Sequence, residues 1–299
     1  MRHKRRILRW FFILPYGYMM KKVISLMLSA SSVAMAGWAG NDYYYGVNAE
    51  DDKAVTTSGK SGEVTLNPAY DGSQDTIDRL TVTEGVTLVN VTSKQGREVD
   101  LTIEELVVDA STVLSVDAGK KLALNVVQGT VSELRTGDGA ELTFKGAVQV
   151  GTYTHSSSTI TMNFGTNGSL TTSSNVNFGQ SLTQASFTAG VTQDQMDILA
   201  TGGSVTRTLL TGTSNWGIWN LFDRGTKSLV VEGLEDYEFV GMMKDASSLQ
   251  AGQYALVYSD TNGTDTVSMV VVGQELVPEP ATATLSMLAL AGLLARRRR

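Results

Sequence analysis

The side chains best suited to acid–base or nucleophilic chemistry are few in this chain of 299 residues. It has two histidines, His3 and His155, and no cysteine. A Ser-His-Asp triad needs a histidine beside an activated serine, yet no Gly-x-Ser-x-Gly turn surrounds any serine here. We therefore predict that His155 is an ordinary loop or surface histidine. Zinc sites built from several histidines or from cysteines are excluded by the residue counts.

Paired carboxylates are the second source of chemistry, because two carboxylates flanking a sugar linkage can cleave it. The candidates are Glu104 with Glu105, Asp223, and Glu235 with Asp236. None of them lies in a recognisable motif, and an acidic surface scatters such pairs widely. The sequence therefore predicts no catalytic residue and no cofactor, with a polysaccharide lyase or glycosidase as the alternative.

Two further segments carry ligand-binding residue types. Trp216 and Trp219 enclose an apolar segment that we predict to be a core strand, with stacking on a glycan as the alternative. Oxygen-bearing residues surround a glycine turn in the segment from Asp260 to Asp265. That segment lacks the spacing and the closing glutamate of a calcium-binding loop. We predict a plain hairpin loop there and no metal site.

The residues that would position these groups show the period-two alternation of β-strands. Short runs such as Val86–Val91, Leu122–Val126 and Ile160–Phe164 are separated by turns led by glycine. A weak repeat, a turn glycine followed by Leu-x-Leu or Leu-x-Phe, recurs at irregular intervals. The pattern predicts a mainly β chain that forms an irregular right-handed parallel β-helix, or solenoid, with a β-sandwich as the alternative. Its texture resembles the passenger segments of autotransporters and other secreted β-solenoids.

Residues 146–193 contain no Asp, Glu, Lys or Arg. We interpret this stretch as stacked strands whose Thr, Ser and Asn side chains satisfy one another. A sticky or glycosylated adhesive surface is the alternative interpretation. Uncharged strands also pair readily at their edges, so a cap or partner is expected.

A second β-rich region follows the predicted solenoid. Thr192 and Gln195 fit a capping box at the start of a short helix that carries Met196 and Leu199 on one side. Five strand candidates follow, the last two being Tyr254–Tyr258 and Val267–Val272. The predicted organisation is an N-terminal extension with signal peptide (1–36), a lead-in (37–75), a β-solenoid (76–190), a β-rich module (191–276) and a C-terminal segment (277–299).

The N-terminal region contains a complete export signal. From Met20 the chain has two lysines, an apolar run and the small-x-small site formed by Ala34 and Ala36. Cleavage before Gly37 is predicted. Translation could begin at Met1, Met19 or Met20, and the completeness of the signal from Met20 favours a later start.

Removing both terminal segments leaves an acidic body. Residues 37–278 contain 13 basic and 29 acidic residues, a formal charge of −16. Such a charge disfavours nucleic acid and anionic lipid as partners and suits a soluble extracellular protein. The absence of cysteine does not oppose export, since a body of about 240 residues can bury a sufficient core without disulfides.

The C-terminal segment has three parts in fixed order. A stiff Pro-Glu-Pro turn is followed by the apolar run Ala281–Ala295 and then by four arginines. As a helix, 15 residues span roughly 22 Å, against about 30 Å of membrane hydrocarbon, and the arginines should stay on the cytoplasmic side. We predict a hydrophobic helix that holds the chain in the membrane temporarily. The residues of this sorting segment are Pro278, Glu279, Pro280, Arg296, Arg297, Arg298 and Arg299.

These residues closely resemble the PEP-CTERM sorting signal. The resemblance implies processing by an exosortase, a membrane-embedded cysteine transpeptidase, in a Gram-negative-type bacterium, often a producer of exopolysaccharide or biofilm. It covers about 23 of 299 residues and implies nothing about the role of the exported body. An ordinary C-terminal anchor is the alternative.

Together these features predict an exported, surface-sorted protein of the cell envelope or extracellular matrix with a structural or adhesive role. The expected partners are Sec-type export machinery, an exosortase-like transpeptidase, and glycans or exopolysaccharide. An inner-membrane intermediate would precede release to the surface. A β-helix enzyme acting on polysaccharide and a non-catalytic glycan-binding protein are the alternatives.

Overall fold

The computed structural model describes residues 42–45, 54–68, 74–93, 96, 98–213 and 216–274. These residues form a mainly β chain arranged as a β-solenoid. The predicted fold class is confirmed, and the described strands stack as a solenoid rather than as the two sheets of a sandwich.

Within the described residues the secondary structure is as follows. The strands are β1 (Asp42–Tyr45), β2 (Ala54–Thr56), β3 (Gly62–Pro68), β4 (Gln74–Val82), β5 (Val86–Val91), β6 (Asp100–Val116), β7 (Lys121–Thr136), β8 (Ala140–Phe144), β9 (Ala147–Val150), β10 (Thr152–His155), β11 (Thr159–Phe164), β12 (Ser169–Phe178), β13 (Gln184–Ala189), β14 (Ser204–Thr213), β15 (Thr226–Val231), β16 (Glu238–Met243), β17 (Gln253–Thr261) and β18 (Thr264–Val272). The helices are α1 (Gln193–Ala200), α2 (Trp216–Asp223) and a 3-10 turn (Ala246–Ser248).

Parallel pairing between strands distant in sequence defines three faces of the solenoid. Face 1 stacks the first parts of β4, β6 and β7 on β8, β11, β13 and β15. Face 2 contains β2, the middle parts of β4, β6 and β7, and then β9, β12 and β14. Face 3 contains β1, β3, β5, the last parts of β6 and β7, β10 and the end of β12. Each turn therefore visits faces 1, 2 and 3 in that order.

Irregular turn length explains why the sequence repeat is weak. On face 1, Lys121 pairs with Asp100 before it and Glu141 after it, so these turns contain 21 and 20 residues. The step from Gln184 on β13 to Thr226 on β15 is 42 residues because that turn contains both helices. Between faces 3 and 1 the chain turns at glycines with positive φ, as at Gly139 (φ 67°).

The core is built from columns of inward-facing side chains, one per turn. One column of paired positions on face 1 shows this arrangement, and Phe144 and Phe164 within it stack with ring centroids 5.3 Å apart. Burial of this kind contributes roughly 1.5–3 kcal/mol per large side chain. The column contains Ile77, Ile103, Leu124, Phe144, Phe164, Ala189 and Val231.

The C-terminal end of the solenoid is closed by different elements on different faces. On face 2, β18 pairs antiparallel with β14, and β17 pairs antiparallel with β18. On face 3, α2 packs over the end of β12, where the Asn220 side-chain amide donates to the Phe178 carbonyl at 2.8 Å. The helix thus occupies the place that a further face 3 strand would take.

Several local predictions can be compared with these elements. The capping box at Thr192 is confirmed, and Leu199 of α1 is buried. Parallel pairing begins before residue 76, since β2 and β3 already pair with β4 and β5. It also continues past residue 190, through the pairing of β15 with β13.

Two local predictions are wrong. The segment between Trp216 and Trp219 begins helix α2 and is not a strand. The long hairpin loop predicted between Tyr258 and Val267 is a two-residue turn, because Thr261 pairs directly with Thr264. Within the described residues, no helix has the length and apolar character needed to cross a membrane.

Candidate functional site

The residues assigned to export and sorting lie outside the described residues. They are Ala34, Ala36, Gly37, Pro278, Glu279, Pro280, Arg296, Arg297, Arg298 and Arg299. The predicted C-terminal hydrophobic helix lies outside them as well. Signal cleavage and tail processing therefore stay predictions.

His155 is buried, so its prediction as a loop or surface histidine is wrong. It ends β10, its exposed fraction is 0%, and its Nδ1 lies 3.0 Å from the Thr136 hydroxyl. The same hydroxyl lies 3.1 Å from the phenolic oxygen of Tyr153. In the sequence, the period of two within β10 puts His155 on the same side as Tyr153, which is buried. The flanking threonines and serines favoured a loop and outweighed that signal.

Burial shifts the pKa values of both His155 and Tyr153. Loss of solvation lowers the pKa of His155, against weaker opposing effects from hydrogen bonding and from the Asp138 carboxylate. Loss of solvation also raises the pKa of Tyr153. Among the described residues, the Nε2 atom of His155 has no hydrogen-bond partner. The neutral imidazole is therefore favoured, and a ring without an exposed edge has no access to a substrate in this conformation.

The predicted carboxylate candidates on the solenoid are held by neighbouring turns. Glu104 accepts from Lys145 Nζ at 2.6 Å and from Asn125 Nδ2 at 3.0 Å. The hydrogen bond from Lys145 is the main cause that lowers the pKa of Glu104. Glu105 accepts from Gln128 Nε2 at 2.6 Å and lies 3.4 Å from Arg79. Both are cross-strand surface groups of a kind that supports strand stacking.

The remaining acidic candidates lie near the C-terminal end of the solenoid. Asp223 ends α2, while Glu235 and Asp236 lie in the turn between β15 and β16. Within the described ranges, no group of three or more histidine, aspartate or glutamate side chains is arranged to hold a metal ion.

Trp219 belongs to an aromatic cluster that holds a lysine. Its ring centroid lies 5.3 Å from that of Phe222 and 6.1 Å from that of Tyr258. The Nζ of Lys244 sits over the Trp219 ring at 4.5 Å, a cation–π contact that links the segment after β16 to α2. Trp219 is half-buried, and the side chain of Trp216 lies outside the described residues. The Trp219 ring therefore packs against other side chains at the C-terminal end of the solenoid.

The segment from Asp260 to Asp265 forms the tip of the β17–β18 hairpin. Asn262 (φ 52°) and Gly263 (φ 77°) form the two-residue turn that an Asn-Gly pair favours. Asp265 is buried and accepts from the Tyr258 hydroxyl at 3.1 Å. Burial and this carboxylate raise the pKa of Tyr258 to about 12. Of the two aspartates that bound this segment, Asp265 therefore points into the fold.

The outer side of face 1 carries a regular array of small polar side chains. Three pairs of strands, β8–β11, β11–β13 and β13–β15, keep continuous register with no bulge. Some ladders elsewhere shift register, as between β12 and β14. We call the outward positions of β11, β13 and β15 the hydroxyl face. Its members are Thr159, Thr161, Asn163, Gln184, Ser186, Thr188, Thr226, Ser228 and Val230, all at least partly exposed.

Comparison of the chain with protein-family models, with curated proteins and with solved structures finds no match. Function therefore has to be inferred from the chain's own sequence and geometry.

Proposed function

We propose that this chain is an exported structural or adhesive protein of the cell envelope or extracellular matrix, sorted by its C-terminal segment. The observation that carries the proposal is the fixed order of that segment, Pro278-Glu279-Pro280, an apolar run and Arg296–Arg299. The export signal that begins at Met20 supports Sec-type export machinery as a partner, and the close resemblance of the tail to a PEP-CTERM signal supports an exosortase-like transpeptidase as another.

The exported body has properties that suit this role. A solenoid buries its core column by column and is closed at its C-terminal end by β18 and α2. The formal charge of −16 over residues 37–278 favours solubility outside the cell. The role we propose is non-enzymatic, and it is supported by the burial of His155 and by the pairing of Glu104 and Glu105 across neighbouring strands.

Fractionation of the native host, combined with intact-mass analysis, tests the proposal. We expect a mature form that begins at Gly37, has left the inner membrane and lacks the C-terminal apolar run. A form retaining Arg296–Arg299 in the inner membrane would instead identify a plain anchor. A mature chain that still begins at residue 1 would remove the export argument.

A further inference from the structure

We propose that the hydroxyl face binds an extended, neutral polysaccharide. The proposal deepens the proposed function and rests on it, because the proposed location at the cell envelope or in the extracellular matrix is where such polymers occur. It assigns the adhesive contact to one surface of the solenoid, the outer side of β11, β13 and β15.

The first argument is periodicity. Strands in a sheet lie about 4.8 Å apart, and alternate residues on one strand lie roughly 6.7 Å apart. Thr161 pairs with Ser186 and Ser186 with Ser228, so one hydroxyl follows another across the strands. An unbranched polysaccharide also repeats its hydroxyl groups along its length. A regular array can meet many such groups with the same geometry, which is not possible on a bulged ladder.

The second argument is rigidity. Threonine is stiff about χ1, so few rotamers are lost when its hydroxyl is engaged. Below the face, the ring of Phe164 stacks on that of Phe144 in its own column and on that of Phe187 in the neighbouring column, with centroids 5.3 Å and 6.5 Å apart. The outer side chains are therefore held on a packed support, which lowers the entropic cost of binding a long polymer.

The third argument is charge. None of the nine residues of the hydroxyl face is charged, although the exported body carries −16. Two carboxylates border the face: Glu141 is paired with Lys121 at 3.1 Å and accepts from Asn163 at 2.7 Å, and Asp138 accepts from the Thr159 hydroxyl at 3.1 Å. An anionic polymer would be repelled by the body as a whole, whereas a neutral one would not.

The composition of the face also favours a glycan over a protein. Protein interfaces are enriched in aromatic residues, methionine and arginine and depleted in serine. The hydroxyl face has none of the enriched types, and its single large apolar side chain is Val230, 59% exposed. Hydroxyl and amide groups around one apolar contact match the mixed hydroxyl and C–H surface of a sugar.

Retention of the full-length chain, purified in mild detergent, on insoluble neutral polysaccharides tests the proposal. Cellulose, an insoluble α-glucan and agarose serve as neutral probes, and alginate gel as the anionic probe. We expect saturable retention on at least one neutral probe that is unchanged between low and high salt. The variant Thr161→Val/Thr188→Val removes two hydroxyls without changing shape and should weaken that retention at least about tenfold.

The matched control is Thr171→Val/Thr211→Val, which alters two paired outward threonines on face 2. It should bind like the native chain. Ser186→Gln, a longer neutral side chain in the centre of the face, should also reduce retention. Circular dichroism and melting temperature establish that each variant is folded.

Several outcomes would overturn the proposal. They are no retention on any neutral probe, equal loss in the face 2 control, or retention on alginate alone that salt abolishes. A self-associated native chain that Thr161→Val/Thr188→Val dissociates would assign the face to a second copy instead. None of these results bears on export and tail processing, which fractionation tests separately.

Discussion

Thr136 and His155 are polar members of a column that is otherwise aliphatic or aromatic. On face 3, Val116 pairs with Thr136, Thr136 with His155, and His155 with Phe178. All four are buried. Polar groups are tolerated there because the Thr136 hydroxyl lies within hydrogen-bonding distance of both Tyr153 and His155. One hydroxyl thus serves two buried partners.

Thr136→Val should therefore destabilise the fold out of proportion to its small change in shape. It leaves the Tyr153 hydroxyl and His155 Nδ1 without their buried partner, at a cost of about 2–4 kcal/mol in the free energy of unfolding. Urea denaturation followed by circular dichroism measures this change. Thr136→Ser keeps the hydroxyl and loses one methyl group, so it should cost only about 1 kcal/mol. Equal losses in both variants would mean that packing, not hydrogen bonding, sets the effect.

Acid should destabilise the fold through His155. Burial lowers its pKa in the folded chain, whereas the unfolded histidine titrates near its ordinary value of about 6.5. Below that value the unfolded chain binds the proton first, so the stabilising effect of a neutral His155 is present above about pH 6.5 and is lost as pH falls towards the folded pKa. Each unit of depression corresponds to about 1.4 kcal/mol.

Unfolding free energies of the native chain and of His155→Leu, measured between about pH 7.5 and about pH 5, isolate this effect. Leucine matches the aliphatic neighbours in the column and does not titrate. The carboxylates other than Asp138, which interacts with His155, titrate alike in both proteins, so their contribution cancels in the comparison. We expect the native chain to lose more stability than the variant on acidification. Parallel pH profiles would contradict the assignment.

At the scale of elements, close contact between successive strands depends on glycine at one corner. Gly129 of β7 pairs with Val108 of β6 and has φ 87°. A Cβ atom at Gly129 would lie 2.0 Å from the Val108 carbonyl oxygen. The two long strands can therefore bend together here only without a side chain.

Gly129→Ala should cost about 3 kcal/mol or more, since backbone strain adds to a clash with a neighbouring strand. Gly59 provides the matched control, because it also has positive φ (76°) but a Cβ atom added there would have no other atom within 4 Å. Gly59→Ala should cost only about 1 kcal/mol, from backbone strain alone. Thermal and urea unfolding of the two variants would measure the difference. Similar losses would show that the β6–β7 corner can relax.

Elements marked by strong local signals could be predicted from sequence. Period-two alternation and turn glycines identified the strands, and the Thr192 capping box identified the start of α1. Asn262-Gly263 also carried a strong signal, and the predicted loop was too long because the alternation was not extended to Thr261 and Thr264.

Elements set by tertiary contact could not be predicted in this way. A short apolar run such as Trp216–Asp223 fits strand or helix equally well. Its helical form depends on the end of β12, where a Cβ at Gly217 would lie 1.5 Å from the Val176 carbonyl oxygen. The hydroxyl face could not be predicted for a similar reason. The uncharged stretch is visible in the sequence, but loops of unequal length decide which of its residues align on neighbouring strands.

At the scale of the whole molecule, one end of the stacked core meets the segment that leads to the tail. Parallel strand edges attract further strands, and β18 covers the edge of β14 with an antiparallel partner. β18 ends at Val272, and the Pro-Glu-Pro sequence begins at Pro278, with five residues between them. Because this spacing is short, the last strand of the body lies close in sequence to the segment that we propose is processed.

Replacing Pro278-Glu279-Pro280 with alanines separates export from sorting. The N-terminal signal is untouched, and the substitution leaves the apolar run and the four arginines in place. We expect the variant to be exported but to remain in the inner membrane as an unprocessed form, because the Pro-Glu-Pro sequence that we propose as the recognition signal is gone. Immunoblotting of fractions and intact mass measure the trapped form.

Replacing Pro68, far from the tail, with alanine is the control and should leave processing unchanged. Normal processing of the triple variant would show that the tail is recognised by hydrophobicity and charge alone, and the exosortase inference would then fall.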